Sequence, residues 1–198
     1  MTRSMPHRHG LRTALLRGLA PALALGNAVI LKPDPRTSVT GGALIMRVFE
    51  EAGLPPGVLQ LLPGGGDVGA ATVEAQHVDV VSFTGSTAAG RHVGAAAARH
   101  LKRAHLELGG NNVVIVLPGA DVDLAAGVGA MGSFFHQGQI CMTTGRHLVH
   151  EDLHDEYVDK LAAKAEALVV GDPAEGPVHL GPIIDEHQLK RWLDRQPR

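Results

Sequence analysis

The sequence has one thiol, Cys141, so no internal disulfide and no cysteine-based metal cluster can form, and packing or reactivity is left as its role. It follows Phe134-Phe135-His136-Gln137-Gly138-Gln139-Ile140 and precedes Met142-Thr143-Thr144-Gly145-Arg146. That polar, glycine-containing approach suits a loop delivering a thiolate into a cleft, whereas a buried, inert thiol is the competing reading; the residues alone leave both open. Leu106-Glu107-Leu108-Gly109-Gly110 sets a carboxylate beside glycines, and a structural carboxylate paired to a base such as Arg103 is one reading of it.

Two glycine-rich turns could meet a phosphate. Phe83-Thr84-Gly85-Ser86-Thr87-Ala88-Ala89-Gly90 follows a strand pattern and opens a helix pattern, so backbone N–H groups and a helix N-terminus converge there. It is not GxGxxG, and a plain strand-to-helix connection is the competing reading. Pro63-Gly64-Gly65-Gly66-Asp67-Val68-Gly69 also ends a strand pattern, and two such loops on neighbouring parallel strands would line a nucleotide crevice. His150-Glu151-Asp152-Leu153-His154 matches the zinc-peptidase helix HExxH. The acids that follow, Asp155 and Glu156, make it a solvated first helical turn instead, and no metal site is assigned.

These residues need elements to hold them. Apolar runs at 28–31, 58–62, 78–83, 104–106 and 113–117 read as strands, and helical patterns at 39–52, 67–74, 87–102, 121–135 and 151–170 alternate with them. That rhythm is βαβ, hence α/β with a parallel sheet. Leu108-Gly109-Gly110-Asn111-Asn112 reads as a flexible turn, which puts a domain boundary near Gly109. Gly and Ala abound while aromatic residues make up 3%, a composition suited to close helix-on-sheet packing. With formal charge −2 and no charged run, the chain carries no nucleic-acid footprint, and no apolar stretch reaches the roughly 18 residues of a membrane span. The run Leu19 to Ala28 after Arg3, Arg8, Arg12 and Arg17 imitates a secretory signal, but it is short, contains Pro21 and runs into a strand. A reducing, cytoplasmic setting and a small-molecule partner fit.

The string Phe134-Phe135-x-x-Gly138-Gln139-x-Cys141-x-x-x-x-Arg146 resembles the active-cysteine signature of aldehyde dehydrogenases, and Leu106 to Gly110 resembles their glutamate signature. Residues 20–33 and Phe83 to Thr87 are similar to further blocks of the same superfamily, and Lys32-Pro33-Asp34-Pro35-Arg36-Thr37 is most similar to benzaldehyde and vanillin dehydrogenases. The resemblance implies an aldehyde-dehydrogenase-like α/β fold. Residues 1–18 would be an irregular N-terminus, 19–108 a Rossmann-type, parallel-sheet nucleotide-binding portion, and 109–198 part of the α/β catalytic domain.

It also implies a reaction, the oxidation of an aldehyde, aromatic by this resemblance, through a thioester on Cys141 hydrolysed by a water that Glu107 deprotonates. NAD or NADP would be held by Lys32 at the ribose, Gly66 near the adenine, Ser86 and nearby amides at the pyrophosphate, and by Gly69, Phe83, Thr84, Gly85, Leu108 and Gly109. Pro35 stands where NAD-preferring members carry glutamate, and Arg36 could attract a 2′-phosphate, so NADP is expected to be accepted at least as well as NAD. Full-length relatives are expected to be homo-oligomers without nucleic-acid or membrane partners. Two departures stand out. The oxyanion-hole asparagine of the family would fall at His9, and the chain ends at Arg198, so it is expected to hold roughly the middle 40% of a subunit, in size about one ordinary domain, and to have little activity alone. A non-catalytic nucleotide-binding remnant is the reading from a different class.

Overall fold

Three pairs of parallel strands, each flanked by helices, carry the chain from residue 17 to residue 194, the residues described by the computed structural model. They cluster into two compact units that divide between Gly109 and Gly110. The first holds α1 (residues 17–24), β1 (Val29–Leu31), α2 (Leu44–Glu51), β2 (Leu59–Leu61), α3 (Gly66–Glu74), β3 (Val80–Gly85), α4 (Thr87–Arg99) and β4 (Arg103–Leu108). The second holds β5 (Asn112–Val116), α5 (Val122–Phe134), β6 (Thr144–Val149), α6 (Glu151–Glu166) and α7 (Glu186–Leu193). His9 and its neighbours, where the family asparagine was expected, lie outside the described residues.

In the first unit β1 pairs with β2 and β3 with β4. No ladder joins β2 to β3 among the described residues, so the two glycine loops do not end hydrogen-bonded neighbours as expected. Strands β1 and β2 have three residues each, too short for a long ladder, and they are held by packing: Leu19, Leu31, Ile45 and Leu59 form one buried cluster. Leu19 belongs to the stretch that imitates a signal sequence, and here it is core. The expected helix over 39–52 opens instead with a wide π turn at Val39–Ala43. Gly41 and Gly42 are buried there, and a methyl on Gly42 would meet Leu61 and Pro33 at 3.0 Å, so the turn sits directly on β1 and β2.

Helix α4 lies on β4 because two of its residues lack side chains. A Cβ at Gly90 would be 2.3 Å from Leu108, and one at Gly94 would be 3.2 Å from Leu106. This helix stops at Arg99, short of the expected Lys102, because the chain turns into the left-handed region at Leu101, φ 54°. The N–H groups of Leu101 and Lys102 then return to the carbonyls of Ala98 and Ala97, the bonding pattern that ends many helices with a glycine.

In the second unit α5 and α6 cover one face of the β5–β6 ladder, burying Val116, Val122, Ala126 and Tyr157. Strand β6 was not anticipated, although Arg146-His147-Leu148-Val149 alternates as a strand does. Its outward residue Leu148 pairs with Ile115, and both are exposed, as is Val113. Helix α6 ends at Glu166 instead of 170, since Val170 is taken up in a bridge to Leu180. None of the described helices is long and apolar enough to cross a membrane.

Leu101 gives a test of this backbone. Its side chain is 95% exposed, so it gains nothing from packing, while a left-handed conformation costs a residue with a Cβ about 1–2 kcal/mol. Glycine returns about 0.5–1 kcal/mol of that through the entropy of the unfolded chain. Leu101→Gly is therefore expected to raise stability by about 0.5–1 kcal/mol, and Leu101→Ala to leave it nearly unchanged, in thermal or urea melts. Equal midpoints for the Gly and Ala forms would contradict the conformation.

Candidate functional site

Strand register brings several expected residues of the first unit together. In the β3–β4 ladder Phe83 lies beside Leu106, Thr84 beside Glu107 and Gly85 beside Leu108, so the glycine turn and the carboxylate leave the same end of one strand pair. Glu107 is half-buried, and its Oε1 is 3.0 Å from His105 Nε2, so its partner is His105 and not Arg103. At the turn, the Ser86 hydroxyl accepts from Ala89 N–H and caps α4, while Thr84, Gly85 and Ser86 stay exposed. The Phe83 ring folds over Gly85, leaving 2.5 Å to the place a Cβ would take. Leu108 packs on Gly90, and Gly109 is exposed.

Lys32 and the β2–α3 loop form a second group. The Lys32 methylenes lie 3.4 Å from the Cβ position of Gly69, and Nζ donates to the Pro33 carbonyl. Around Gly66, at the α3 N-terminus, a Cβ would meet nothing within 4 Å, so the backbone there is open to a ligand. Arg36 is held by Asp34: Nε and Nη2 reach the two carboxylate oxygens at 2.9 and 2.8 Å. The guanidinium keeps the Asp34 carboxyl below its usual range, so Asp34 is an anion at neutral pH. The charge expected to attract a 2′-phosphate is thus already engaged.

The thiol of the second unit sits on a braced turn. Helix α5 ends at Phe134, and His136, Gln137 and Gly138 follow in succession in the left-handed region, φ 52°, 57° and 67°. Such a run costs about 1–2 kcal/mol for each non-glycine residue, so it persists only where bonds hold it. Those bonds are present. Gln137 Nε2 donates to Gly181 O at 2.8 Å, and the hydroxyl of buried Thr143 donates to Gly138 O while accepting from Ile140 N–H. Cys141 itself is exposed.

Two further residues take part that the sequence reading passed over as a flexible turn. Asn111 Oδ1 accepts from Gly145 N–H at 2.8 Å, and Asn112 Nδ2 donates to the carbonyls of Cys141 and Thr143 at 3.1 and 3.3 Å. Nothing in composition distinguishes a loop asparagine that braces from one that only turns. The HExxH string also resolves differently from a metal helix. His150 is the N-cap of α6 and accepts from Asp152 N–H, outside the helical turn that would align it with His154, and His154 pairs with Asp155.

A family model described as the aldehyde dehydrogenase family matches residues 13–196. Over 173 residues the chain is 69% identical to a vanillin dehydrogenase of Amycolatopsis sp., covering 87% of this chain and 36% of that protein. It is 58% identical over 176 residues to a benzaldehyde dehydrogenase [NAD(+)] of Pseudomonas putida, covering 89% and 36%. Among solved structures, an NAD-dependent benzaldehyde dehydrogenase from Corynebacterium glutamicum superposes with a TM-score of 0.85 at 43% identity, over 91% of this chain and 40% of that one. An aldehyde dehydrogenase from Pseudomonas syringae, solved with NAD+ and octanal, gives 0.82 at 39% identity, over 87% and 36%. The chain therefore spans little more than a third of the length of the curated relatives it matches.

The brace at Asn112 is testable apart from any activity. Asn112→Ala removes two donated bonds to carbonyls and should cost about 1 kcal/mol of stability. Asn112→Asp also turns a carboxylate toward those carbonyls and should cost more. Equal melting midpoints for the two variants would show that the amide does not face them.

Proposed function

Because this chain belongs to the aldehyde dehydrogenase family, we propose that it carries the nucleotide-binding and thiol-bearing parts of an enzyme that oxidises an aldehyde to a carboxylic acid. The observation that carries the reading is the presentation of the sequence's one thiol, exposed on a strained turn held by hydrogen bonds from Gln137, Thr143 and Asn112. A merely structural cysteine has no need of either feature.

In this reading the Cys141 thiolate adds to the aldehyde carbon, and the carbonyl electron pair moves onto oxygen to give a tetrahedral thiohemiacetal. A nicotinamide dinucleotide, when bound, supplies the acceptor for the hydride that leaves this carbon. Glu107 takes a proton from the water that attacks the resulting thioester, which releases the carboxylic acid and restores the thiol. His105, bonded to Glu107, orients that carboxylate.

The first unit's residues fit a dinucleotide. Open backbone at Gly66, Lys32 laid across Gly69, and the exposed β3–α4 turn from Phe83 through Ser86 form the binding set, with Leu108 and Gly109 closing the end of β4. NAD is the favoured cofactor. Asp34 both occupies Arg36 and adds a negative charge that a 2′-phosphate would meet, which reverses the expectation drawn from Pro35 and Arg36 alone. The names of the relatives point to an aromatic aldehyde. A homo-oligomer in the cytoplasm belongs to the same proposal.

The test is formation of reduced nicotinamide from vanillin or benzaldehyde, with NAD and with NADP, by a full-length relative carrying these residues, since this chain, spanning about a third of that length, is expected to have little activity alone. Cys141→Ala is expected to abolish it. Glu107→Gln should slow turnover by about 10²–10⁴ while leaving a burst of about one equivalent, because acylation of Cys141 precedes the step that needs the base. Nucleotide binding without turnover would replace this reading with that of a binding module, and a Glu107→Gln variant with full turnover would remove Glu107 from the chemistry.

A further inference from the structure

The turn bearing Cys141 is closed at its base by hydrogen bonds that the proposed reaction does not use. Ser133 Oγ, at the end of α5, donates to the Thr144 carbonyl at the start of β6 at 2.7 Å. His147 places Nε2 2.8 Å from Ser133 Oγ and 3.1 Å from the same carbonyl. Its Nδ1 is 2.7 Å from the Tyr157 hydroxyl, which comes from α6. The two rings meet edge to face, with centroids 5.7 Å apart.

The donors and acceptors fix the protonation pattern. A carbonyl only accepts, and the Ser133 proton is already committed to it, so Nε2 must carry hydrogen for its own contacts to be favourable. Nδ1 is then a lone pair, and Tyr157 donates to it. Tyr157 is 1% exposed, and burial pushes its phenol up, so it stays a donor throughout the neutral range. Room for the pair comes from Gly129, where a Cβ would lie 2.2 Å from the Tyr157 hydroxyl and 3.1 Å from His147 Cε1.

Protonating this imidazole adds an Nδ1–H aimed at the Tyr157 oxygen. The phenol must then turn its own proton away from the His147 nitrogen, in a place closed to water. Tyr157 is the titratable group in contact with the ring. From the other elements it meets Ser133 and Gly129 of α5, Thr144 of β6 and its ladder partner Val114 of β5, all uncharged. The acids of α6, Glu151, Asp152, Asp155, Glu156 and Asp159, are exposed, and Lys160 is paired with Glu156 and with Asp123 of α5.

We propose that His147 and Tyr157 are positioning residues for the Cys141 turn, and that the Ser133–Thr144–His147–Tyr157 clasp holds the turn closed only while the imidazole is neutral. The importance of the clasp to catalysis rests on Cys141 being the nucleophile, but the clasp itself can be tested without turnover. The measurement is amide hydrogen exchange of residues 135–143 between pH 5 and 8, corrected for intrinsic rates. In the unaltered protein, protection of this segment is expected to fall several-fold between pH 8 and pH 5, while α4 stays unchanged. Tyr157→Phe should show, already at pH 8, the exchange that the unaltered protein shows at pH 5. His147→Gln should show one level at every pH.

A flat profile in the unaltered protein overturns the proposal, and this arm needs no variant to fold. The same acid loss of protection in His147→Gln overturns it equally. If the clasp titrates but no aldehyde is oxidised, the oxidation reading alone fails; if aldehyde is oxidised but the segment does not respond, the clasp alone fails.

Discussion

Three consecutive residues in the left-handed region, two of them with side chains, cannot persist on their own between α5 and β6. The backbone there carries a few kcal/mol of strain, which must be met by bonds from outside the turn. Those bonds come from several sides: Gln137 reaches Gly181, Asn112 reaches in from the head of β5, and Ser133 closes the base, while Thr143 adds a bond within the turn. Each of these ties a different part of the second unit to the thiol. The placement of Cys141 is thus a property of the whole unit.

Glycine sets the distances on which this bracing relies. Where Tyr157 and His147 approach α5, the helix presents Gly129; where Thr144 approaches, it presents Gly132, and a methyl at either position would lie 2.2 Å from the neighbouring oxygen. Gly90 does the same for Leu108 in the first unit. With so few aromatic residues, the chain gains little from large buried surfaces and depends on close approach of helix to strand. Tyr157, the largest fully buried side chain among the described residues, fills the space that Gly129 leaves open.

Much of the element order was legible in the sequence, because period and punctuation carry it. The apolar runs at 28–31 and 113–117 and the helical patterns after 66, 87, 121 and 151 each correspond to an element. Ends were less legible. Helix α4 stops early because Leu101 turns left-handed without a glycine to announce it, and β6 was missed because its outward residues, Arg146 and Leu148, alternate over only a few positions. In the candidate site, the thiol and the carboxylate stood out by residue type and by resemblance. Asn111, Asn112, Ser133, His147 and Tyr157 did not, since a hydrogen-bond partner 10 to 34 residues away leaves no local pattern. Arg36 shows the reverse error: its charge was read correctly, but Asp34, two residues before it, cancels much of it.

The supports of Glu107 and of Cys141 are separate, and this constrains how substitutions combine. Glu107 depends on the β3–β4 ladder, on His105 and on Gly90 beneath Leu108; Cys141 depends on the turn bonds and on the clasp. Changes to supports with no shared partners add in stability to within about 0.5 kcal/mol. Rates would obey a different rule under the proposed reaction: a thiol and a base acting in successive steps would limit the same turnover, so the second loss would add little to the first. Additive stability with non-additive rate is the behaviour that the proposed reaction requires of two separately braced groups.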